Sequence, residues 1–262
     1  MQSRIRLFPR HPRHRCSREY KAAPAPDFIR LESASIIPYD DRPSQIALGT
    51  QIHQQPQRSW ELTITHIFFD IGGVLGTNGW DREQRARALQ KFSIEEDDFE
   101  HRHHQVVSEF ETGAMSFDEY LDVTVFYTPR LFSREDFELY MLTLSEPNPY
   151  TIEIAKHVAS AGRVRLMTMN NESAVLNVYR IDRFGLKAIF PTFLSSCWLG
   201  VRKPQRSFFE RGLGIAQADP ESSLLVDDRD QNLAPAAALG MHTIHYANPE
   251  SLARELAQYG AF

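Results

Sequence analysis

The feature that most constrains the fold is a regular alternation of helical segments with short apolar runs in the second half of the chain. It begins after the Pro-Asn-Pro break at residues 147–149 and continues nearly to the end of the 262 residues. Strands that alternate with helices favour a parallel sheet that helices cover on both faces. The predicted helices are 150–161, 172–180, 205–213, 231–239 and 249–258, and the predicted strands are 163–169, 192–196, 222–226 and 241–246.

Another apolar, β-branched run lies much earlier, at residues 62–69, where it ends in Asp70 and two glycines. This pattern is typical of a buried strand followed by a turn. The long segment before the next strand is helical in character, which indicates an insertion rather than a second consecutive domain. The sequence predicts an α/β, Rossmann-like parallel sheet core of residues 61–79 and 150–262, with a helical cap of residues 80–149 inserted after the first strand.

Helix start signals recur in the predicted cap. Ser93 with Glu96, and Ser116 with Glu119, have the spacing of a capping box. In this motif each side chain bonds to the backbone N–H of the other residue. We therefore expect helices to begin at Ser93 and at Ser116.

The first sixty residues differ in composition from the rest. They hold ten basic residues against five acidic ones and seven of the 15 prolines, and they show no sustained helical or strand period. Such a segment buries too little apolar surface to offset the entropy lost on ordering it. We expect residues 1–60 to be a disordered, basic and proline-rich tail, either dispensable or a basic arm that touches nucleic acid or membrane.

Composition excludes several classes of function for the chain as a whole. The formal net charge of −5 gives no reason to expect nucleic-acid binding. No apolar stretch is long enough to span a bilayer. The two cysteines, Cys16 and Cys197, cannot form a disulfide framework, which fits a reducing compartment. We therefore expect a cytoplasmic protein with no membrane segment, and the sequence leaves the oligomeric state open.

Polar side chains follow the predicted strands, at the edge where ligands of open parallel sheets bind. Any one of them alone fits a helix cap or a solvated loop. Their joint placement at successive strand ends indicates a site. These residues are Asp70 after the first strand, Asn170 and Asn171 after the second, Lys203 beyond the third, and Asp227 and Asp228 after the fourth.

The same residues carry a resemblance to a known family. Phe68–Leu75 (FFDIGGVL), Gly200–Pro204 (GVRKP) and Leu225–Asn232 (LVDDRDQN) resemble, in order and spacing, three motifs of the haloacid dehalogenase-like (HAD) hydrolase superfamily. Residues 111–121, which begin Glu-Thr-Gly, are similar to the small helical cap of one branch. The resemblance covers residues 61–262.

The resemblance implies a phosphatase that hydrolyses a small phosphorylated substrate of the sugar phosphate type through an aspartyl-phosphate. In it Asp70 would be the nucleophile, and Lys203 would place a positive charge beside it. Hard carboxylate oxygens suit Mg²⁺, which the resemblance implies as the cofactor. The implied metal ligands are Asp70, the carbonyl of Gly72, Asp227 and Asp228, and the implied phosphate contacts are Gly73, Asn170 and Asn171.

The sequence departs from the family pattern at two positions. Gly72 stands where phosphatases of the superfamily usually carry a second aspartate, the general acid, although one branch that includes sugar-phosphate phosphatases also has glycine there. Met169 stands where Ser or Thr usually precedes the asparagine, so either Thr168 reaches in or Asn170 and Asn171 together make the contact.

Two alternative functions stay open. One is a catalytically weakened module that binds a phosphorylated ligand. The other is a 2-haloacid dehalogenase, whose halide leaving group needs no proton. Asp227 and Asp228 weigh against the dehalogenase, because two further carboxylates would repel a departing halide and make sense around a cation.

Other residues of the predicted cap have more than one interpretation. His101, His103 and His104 fit a solvated helix face better than a metal site, because no further ligand converges on them by spacing. Trp80 either touches the substrate where cap and core meet or packs at the hinge.

Overall fold

A computed structural model describes residues 63–262, and the predicted tail at residues 1–60 lies outside this range. The strands are β1 (His66–Phe69), β2 (Arg165–Asn170), β3 (Phe193–Ser195), β4 (Ser223–Asp227) and β5 (His242–His245). They form one parallel sheet in the order β3-β2-β1-β4-β5. The predicted α/β fold with a parallel sheet is therefore confirmed.

Ten α-helices lie in the described range, besides the short 3-10 helices Leu186–Ala188 and Pro220–Ser222. They are α1 (Arg82–Phe92), α2 (Glu96–Glu111), α3 (Phe117–Thr124), α4 (Arg134–Thr143), α5 (Pro149–Ala161), α6 (Ala174–Arg183), α7 (Ser196–Leu199), α8 (Arg206–Ala216), α9 (Asp230–Ala237) and α10 (Pro249–Gln258). No helix within residues 63–262 is long and apolar enough to cross a membrane.

The central strand β1 is buried on both faces, and its side chains alternate between two apolar clusters. Phe69 belongs to a cluster with Ala155 of α5 and Leu252 of α10. Phe68 belongs to a second cluster with Phe209 of α8. Successive residues of a strand point to opposite faces, so one continuous apolar run supplies both layers of the core.

Helices α1 to α4 lie between β1 and α5 in the chain and pack around an apolar cluster of their own. Its fully buried members include Phe99, Tyr120, Leu121 and Phe137. We propose that residues 80–149 form a cap on the core, which is also the prediction from the sequence.

One of the two predicted helix starts is confirmed and the other is wrong. Ser116 and Glu119 form the expected capping box at the start of α3. Ser93 instead ends α1 in a left-handed conformation, and Glu95 caps α2. The turn at Ser93 carries the next residue, Ile94, into the apolar cluster of the cap. Burial of that side chain decides where the helix ends.

A hydrogen-bonded group of three side chains lies inside the cap. Trp80 donates from Nε1 to the Tyr120 hydroxyl at 2.7 Å, and Nδ1 of His103 lies 2.8 Å from the same hydroxyl. An indole N–H can only donate, so the Tyr120 proton is available to Nδ1 of His103. The hydroxyl therefore satisfies two buried partners at once.

Tyr120→Phe should lower the free energy of unfolding by about 1–3 kcal/mol, because it leaves the indole N–H of Trp80 without an acceptor. Urea unfolding followed by tryptophan fluorescence measures the change. Tyr150 is 74% exposed, so Tyr150→Phe serves as the control and should change stability by no more than about 0.5 kcal/mol. Equal stabilities for the two variants would contradict the role of the hydroxyl.

Candidate active site

Two neighbouring strands bring the acidic residues together. β1 and β4 pair in parallel with Phe69 opposite Val226, so the residues that follow them, Asp70 and Asp227, are adjacent. The backbone N–H of Asp70 donates to the carbonyl of Val226 at 2.9 Å, which extends the ladder by one residue. As whole residues, Asp70 is 7% exposed and Asp227 is 0% exposed. Both carboxylates are therefore buried at this edge of the sheet.

Lys203 lies between these carboxylates and is itself 1% exposed. Its Nζ is 3.1 Å from Oδ2 of Asp70 and 2.5 Å from Oδ2 of Asp227. Nζ also donates to the carbonyl of Met169 at 2.9 Å. An ammonium has three donors, and each of the three has an acceptor here.

Asp227 is held by further donors. Asn232, on the first turn of α9, donates from Nδ2 to both carboxylate oxygens at 3.0 and 3.2 Å. The backbone N–H of Arg229 donates to Oδ1 at 3.0 Å. These bonds fix the orientation of a carboxylate that burial would otherwise disfavour.

Asp70, Asp227 and Asp228 could hold a metal ion. One oxygen of each lies within 4.8 Å of the others, and they are the one such group of three among residues 63–262. Oδ1 of Asp228 is buried and has no hydrogen-bond partner. An oxygen of this kind is costly without a ligand, and hard carboxylate oxygens suit Mg²⁺. The residues present therefore fit the cation that the sequence predicts.

Gly73 makes room for this cluster. A Cβ at this position would lie 2.3 Å from Oδ2 of Asp228, and its φ is +75°. Glycine is the residue that allows both the left-handed backbone and the close approach of the carboxylate. Phosphate binding by Gly73 stays a prediction.

The charges of the site influence one another. Burial is the main reason that the pKa of Asp70 is raised to about 7, with Lys203 opposing it and Asp227 and Asp228 adding to it. Burial acts to lower the pKa of Lys203, but the carboxylates of Asp70 and Asp227 outweigh it and raise that pKa. Burial, and then Asp227, also raise the pKa of Asp228. A cation between the carboxylates would relieve this repulsion.

The two asparagines after β2 have different surroundings. Asn170 is 1% exposed, and its amide bonds to Asn177 at 2.9 Å and to Ser195 at 2.8 Å. Asn171 lines the cavity described below, and its amide bonds to both the N–H and the carbonyl of Lys203, at 2.8 and 2.9 Å. Both amides therefore have protein partners, and their contacts with phosphate stay predictions.

Thr168 does not reach the site. It is fully buried in β2, and its hydroxyl has no hydrogen-bond partner among the described residues. At the second unusual position, the backbone carbonyl of Met169 accepts from Lys203. The Met169 side chain offers no hydrogen bond donor to a phosphate, and it is the backbone carbonyl of this residue that contacts Lys203.

Gly72, unlike Gly73, does not have a left-handed backbone. A Cβ there would be 3.5 Å from the backbone nitrogen of Gly79 and 3.6 Å from Oδ1 of Asn78, which is ordinary van der Waals contact. Room for a Cβ therefore exists at the position where the family pattern predicts an acid.

A cavity of about 540 Å³ lies over this edge of the sheet. Its walls come from both the core and the predicted cap, and they carry charges of both signs. Besides Asp70, Gly72 and Lys203, the lining residues include Trp80, Asp81, Glu83, Arg85, His103, His104, Glu111, Asn171, Glu172, Arg202 and Arg229.

Trp80 combines the two interpretations that the sequence left open, whereas the solvated helix face predicted for the histidines is wrong for His103. Trp80 packs edge-on against Phe99 and Phe137 within the cap and also lines the cavity. His103 is buried, and burial is the main reason that its pKa is lowered to about 3. Its ring is therefore neutral at pH 7, and its Nδ1 is bonded to the Tyr120 hydroxyl.

Sequence reasoning missed Asn232, Arg202 and Glu111 as parts of the site. All three stand inside the segments that carry the family resemblance, which is the one signal that could have marked them. Arg202 and Glu111 meet across a long stretch of chain, with Arg202 Nη1 2.9 Å from Glu111 Oε2, whereas Asn232 contacts the nearby Asp227. The histidines do not form a group of metal ligands within the described residues.

Comparison with curated proteins finds two partial relatives. Flavin mononucleotide hydrolase 1 of Arabidopsis thaliana, a chloroplastic protein, is 32% identical over 79 residues, which are 30% of this chain and 32% of the relative. Acyl-CoA dehydrogenase family member 10 of Mus musculus is 36% identical over 67 residues, which are 26% of this chain and 6% of the relative. The chain thus matches less than a third of the flavin mononucleotide hydrolase and a small part of the acyl-CoA dehydrogenase family member.

Solved structures share the fold. A HAD family enzyme from Bacteroides thetaiotaomicron has a TM-score of 0.63 at 19% identity, over 71% of this chain and 94% of that one. Its complex with magnesium and inorganic phosphate has a TM-score of 0.61 at 19% identity, over 70% and 94%. An L-2-haloacid dehalogenase has a TM-score of 0.55 at 15% identity, over 74% and 99%.

The family itself is shown by sequence. A family model described as haloacid dehalogenase-like hydrolase matches residues 64–240, which include β1 with Asp70, the whole predicted cap, Lys203 and the acidic residues after β4. The chain therefore belongs to the haloacid dehalogenase-like hydrolase family.

Proposed function

We propose that this hydrolase is a Mg²⁺-dependent phosphatase that acts on a small phosphorylated metabolite of the sugar phosphate type. The observation that carries the proposal is the acidic cluster of Asp70, Asp227 and Asp228, in which Oδ1 of Asp228 is buried without a hydrogen-bond partner. Phosphoryl transfer between anions needs a cation, and these three carboxylates could hold one. A halide has no such need, and this cluster would repel it.

Asp70 is the nucleophile of the proposed reaction. Its Oδ1 accepts from the backbone N–H of Ile71 at 2.8 Å, and its Oδ2 is paired with Lys203. These contacts hold the carboxylate in one orientation at the floor of the cavity. Attack on phosphorus would give an aspartyl-phosphate, which water then hydrolyses.

Mg²⁺ would be held by Asp70, Asp227, Asp228 and the carbonyl of Gly72. When bound, it would supply positive charge that offsets the repulsion between the carboxylate and the phosphate. Lys203 would add a second positive charge beside Asp70, supplied by the protein itself. Asn171 is the proposed phosphate contact that lines the cavity, while Asn170 and Gly73 complete the set that the sequence predicts.

The cavity supports a substrate larger than phosphate. Its volume of about 540 Å³ leaves room for a leaving group, and Arg202 and Arg229 lie among its walls. One relative is named for hydrolysis of flavin mononucleotide, and a structural neighbour was solved with magnesium and phosphate. Sugar phosphates and flavin mononucleotide are therefore the first substrates to assay. The expected cytoplasmic location remains part of the proposal.

Asp70→Asn should lower phosphatase turnover by ~10⁴-fold or more, because an amide cannot attack phosphorus and loss of a nucleophile has effects of this size. The assay is phosphate release from p-nitrophenyl phosphate and from sugar phosphates with Mg²⁺. Circular dichroism checks that the variant is folded. Turnover near the wild-type rate would overturn the assignment of Asp70. Phosphate binding without turnover in the wild type would favour the alternative, a ligand-binding module.

Asp228→Asn should weaken Mg²⁺ binding by at least about tenfold, since even changes to residues behind a metal ligand have effects of 10–100-fold. Titration calorimetry with MgCl₂ measures this without any assay of activity. Asp230 is a nearby acid whose side chain is 85% exposed and faces His245, so Asp230→Asn is the matched control. Equal affinities in the two variants would rule out the proposed metal site.

A further inference from the structure

The site described above lacks a proton donor for the leaving oxygen. In related phosphatases an aspartate fills the position of Gly72 and donates that proton. An alkoxide leaving group is strongly basic, and a positioned acid typically contributes ~10²–10⁴-fold to such a reaction. A proton donor within the described residues would have to come from elsewhere in the cavity.

Four carboxyl side chains outside the acidic cluster line the cavity: Asp81, Glu83, Glu111 and Glu172. Asp81 caps α1 by accepting from the backbone N–H of Gln84 at 2.8 Å. Glu172 is paired with Arg180 at 3.0 Å and accepts from the N–H of Ser173. Glu83 is exposed on the first turn of α1.

Glu111 is the last residue of α2, at the point where the cap touches the core. Its backbone carbonyl accepts from the Ser196 hydroxyl at 2.7 Å, and that hydroxyl in turn accepts from the N–H of Glu172 at 3.0 Å. Two residues on, a Cβ at Gly113 would lie 2.4 Å from the carbonyl oxygen of Cys197. The glycine therefore permits the close approach that positions Glu111 over the core.

Glu111 also forms an ion pair with an arginine, but unlike Glu172 its carboxyl group has a buried oxygen without a hydrogen-bond partner among the described residues. Oε2 is buried and makes no well-directed hydrogen bond, although Nη1 of Arg202 lies 2.9 Å away. Among the described residues, the charged groups that act on it are Arg202, Glu172, Arg229 and Arg85. Burial is the main reason that the pKa of Glu111 is raised to about 7, and Glu172 adds to it against the three arginines.

We propose that Glu111 donates the proton to the leaving oxygen, from the cap side of the cavity, in place of the acid missing at Gly72. This inference rests on the proposed phosphatase function. In the first step an Asp70 oxygen forms a bond to phosphorus and the bond to the leaving oxygen breaks. That oxygen keeps the electron pair and takes the proton of Glu111, which becomes a carboxylate.

The second step restores both groups. A water oxygen attacks the phosphorus of the aspartyl-phosphate, and the Glu111 carboxylate takes a proton from the water. The bond between phosphorus and Asp70 breaks, and the electron pair returns to the carboxylate. The products are the alcohol and inorganic phosphate, with Glu111 protonated again.

The test is Glu111→Gln, which keeps the size of the side chain and removes the acid. With Mg²⁺ present, kcat/KM for an alkyl phosphate such as glucose 6-phosphate should fall by ~10²–10⁴-fold. For p-nitrophenyl phosphate, whose leaving group needs little protonation, the fall should be far smaller. Glu109 is exposed on the same helix, so Glu109→Gln should match the wild type on both substrates.

The pH profile separates a proton donor from a merely structural residue. A general acid works in its protonated form, so wild-type kcat/KM for the alkyl phosphate should fall above about pH 7. In Glu111→Gln this decline should be absent. With p-nitrophenyl phosphate the same enzyme should not show the decline, which serves as the internal control for other ionisations.

Gly72→Asp supplies a rescue. A Cβ fits at Gly72 without displacing backbone, so Glu111→Gln/Gly72→Asp should recover hydrolysis of the alkyl phosphate relative to Glu111→Gln. A role of Glu111 in holding Arg202 would not be rescued in this way. Thermal unfolding of each variant confirms that it is folded.

Several outcomes would overturn the assignment. An equal loss on both substrates, no loss on either, or an unchanged decline above pH 7 would each exclude Glu111 as the proton donor. If wild-type protein released no phosphate from any ester with Mg²⁺, the proposed function would fail first. The kcat/KM for p-nitrophenyl phosphate in all variants separates the two failures, because the first step with this leaving group tests Asp70 and the metal site without a proton from Glu111.

Discussion

The arrangement of the sheet edge depends on one buried ammonium group. Two carboxylates in the interior are stable only when a positive charge compensates them, since an unpaired buried charge costs several kcal/mol, about 3–5 in measured cases. Lys203 reaches Asp70, Asp227 and the carbonyl of Met169, and so joins the ends of β1, β4 and β2. Asn171 clamps the backbone of the same lysine from both sides. The loop beyond β3 is thereby tied to all three strands.

The parts of this site that could be predicted from sequence are those that local pattern controls. An apolar run that ends in Asp70, and another that ends in Asp227, place both residues at one edge once the strands are parallel, whatever the details of packing. Lys203 follows for the same reason, helped by the family motif around it. The prediction at Ser93 was wrong because a capping box is a spacing rule, and the burial of Ile94 in the cap outweighs it.

The surroundings of each side chain could not be read in the same way. Asn170 has the position expected of a ligand-binding residue, yet its amide bonds to Asn177 of α6 and Ser195 of β3. The residues next to Asn170 in the chain give no indication of these partners. Glu111 and Arg202 are 91 residues apart in the chain, and they meet where the end of α2 contacts the core. Contacts of this kind follow from tertiary packing, which a single sequence does not display.

The junction at Gly113 and Ser196 has a consequence for the order of events in a catalytic cycle. In the proposed division Glu111 belongs to the cap and Asp70 to the core, and the two line one cavity with the end of α2 placed against Ser196 and Cys197. A cap that lifts to admit a substrate or release an alcohol would carry Glu111 away with it. Docking of the cap and readiness for proton transfer would then be a single event, and an acyl phosphate on Asp70 would meet an activated water only inside a closed enclosure.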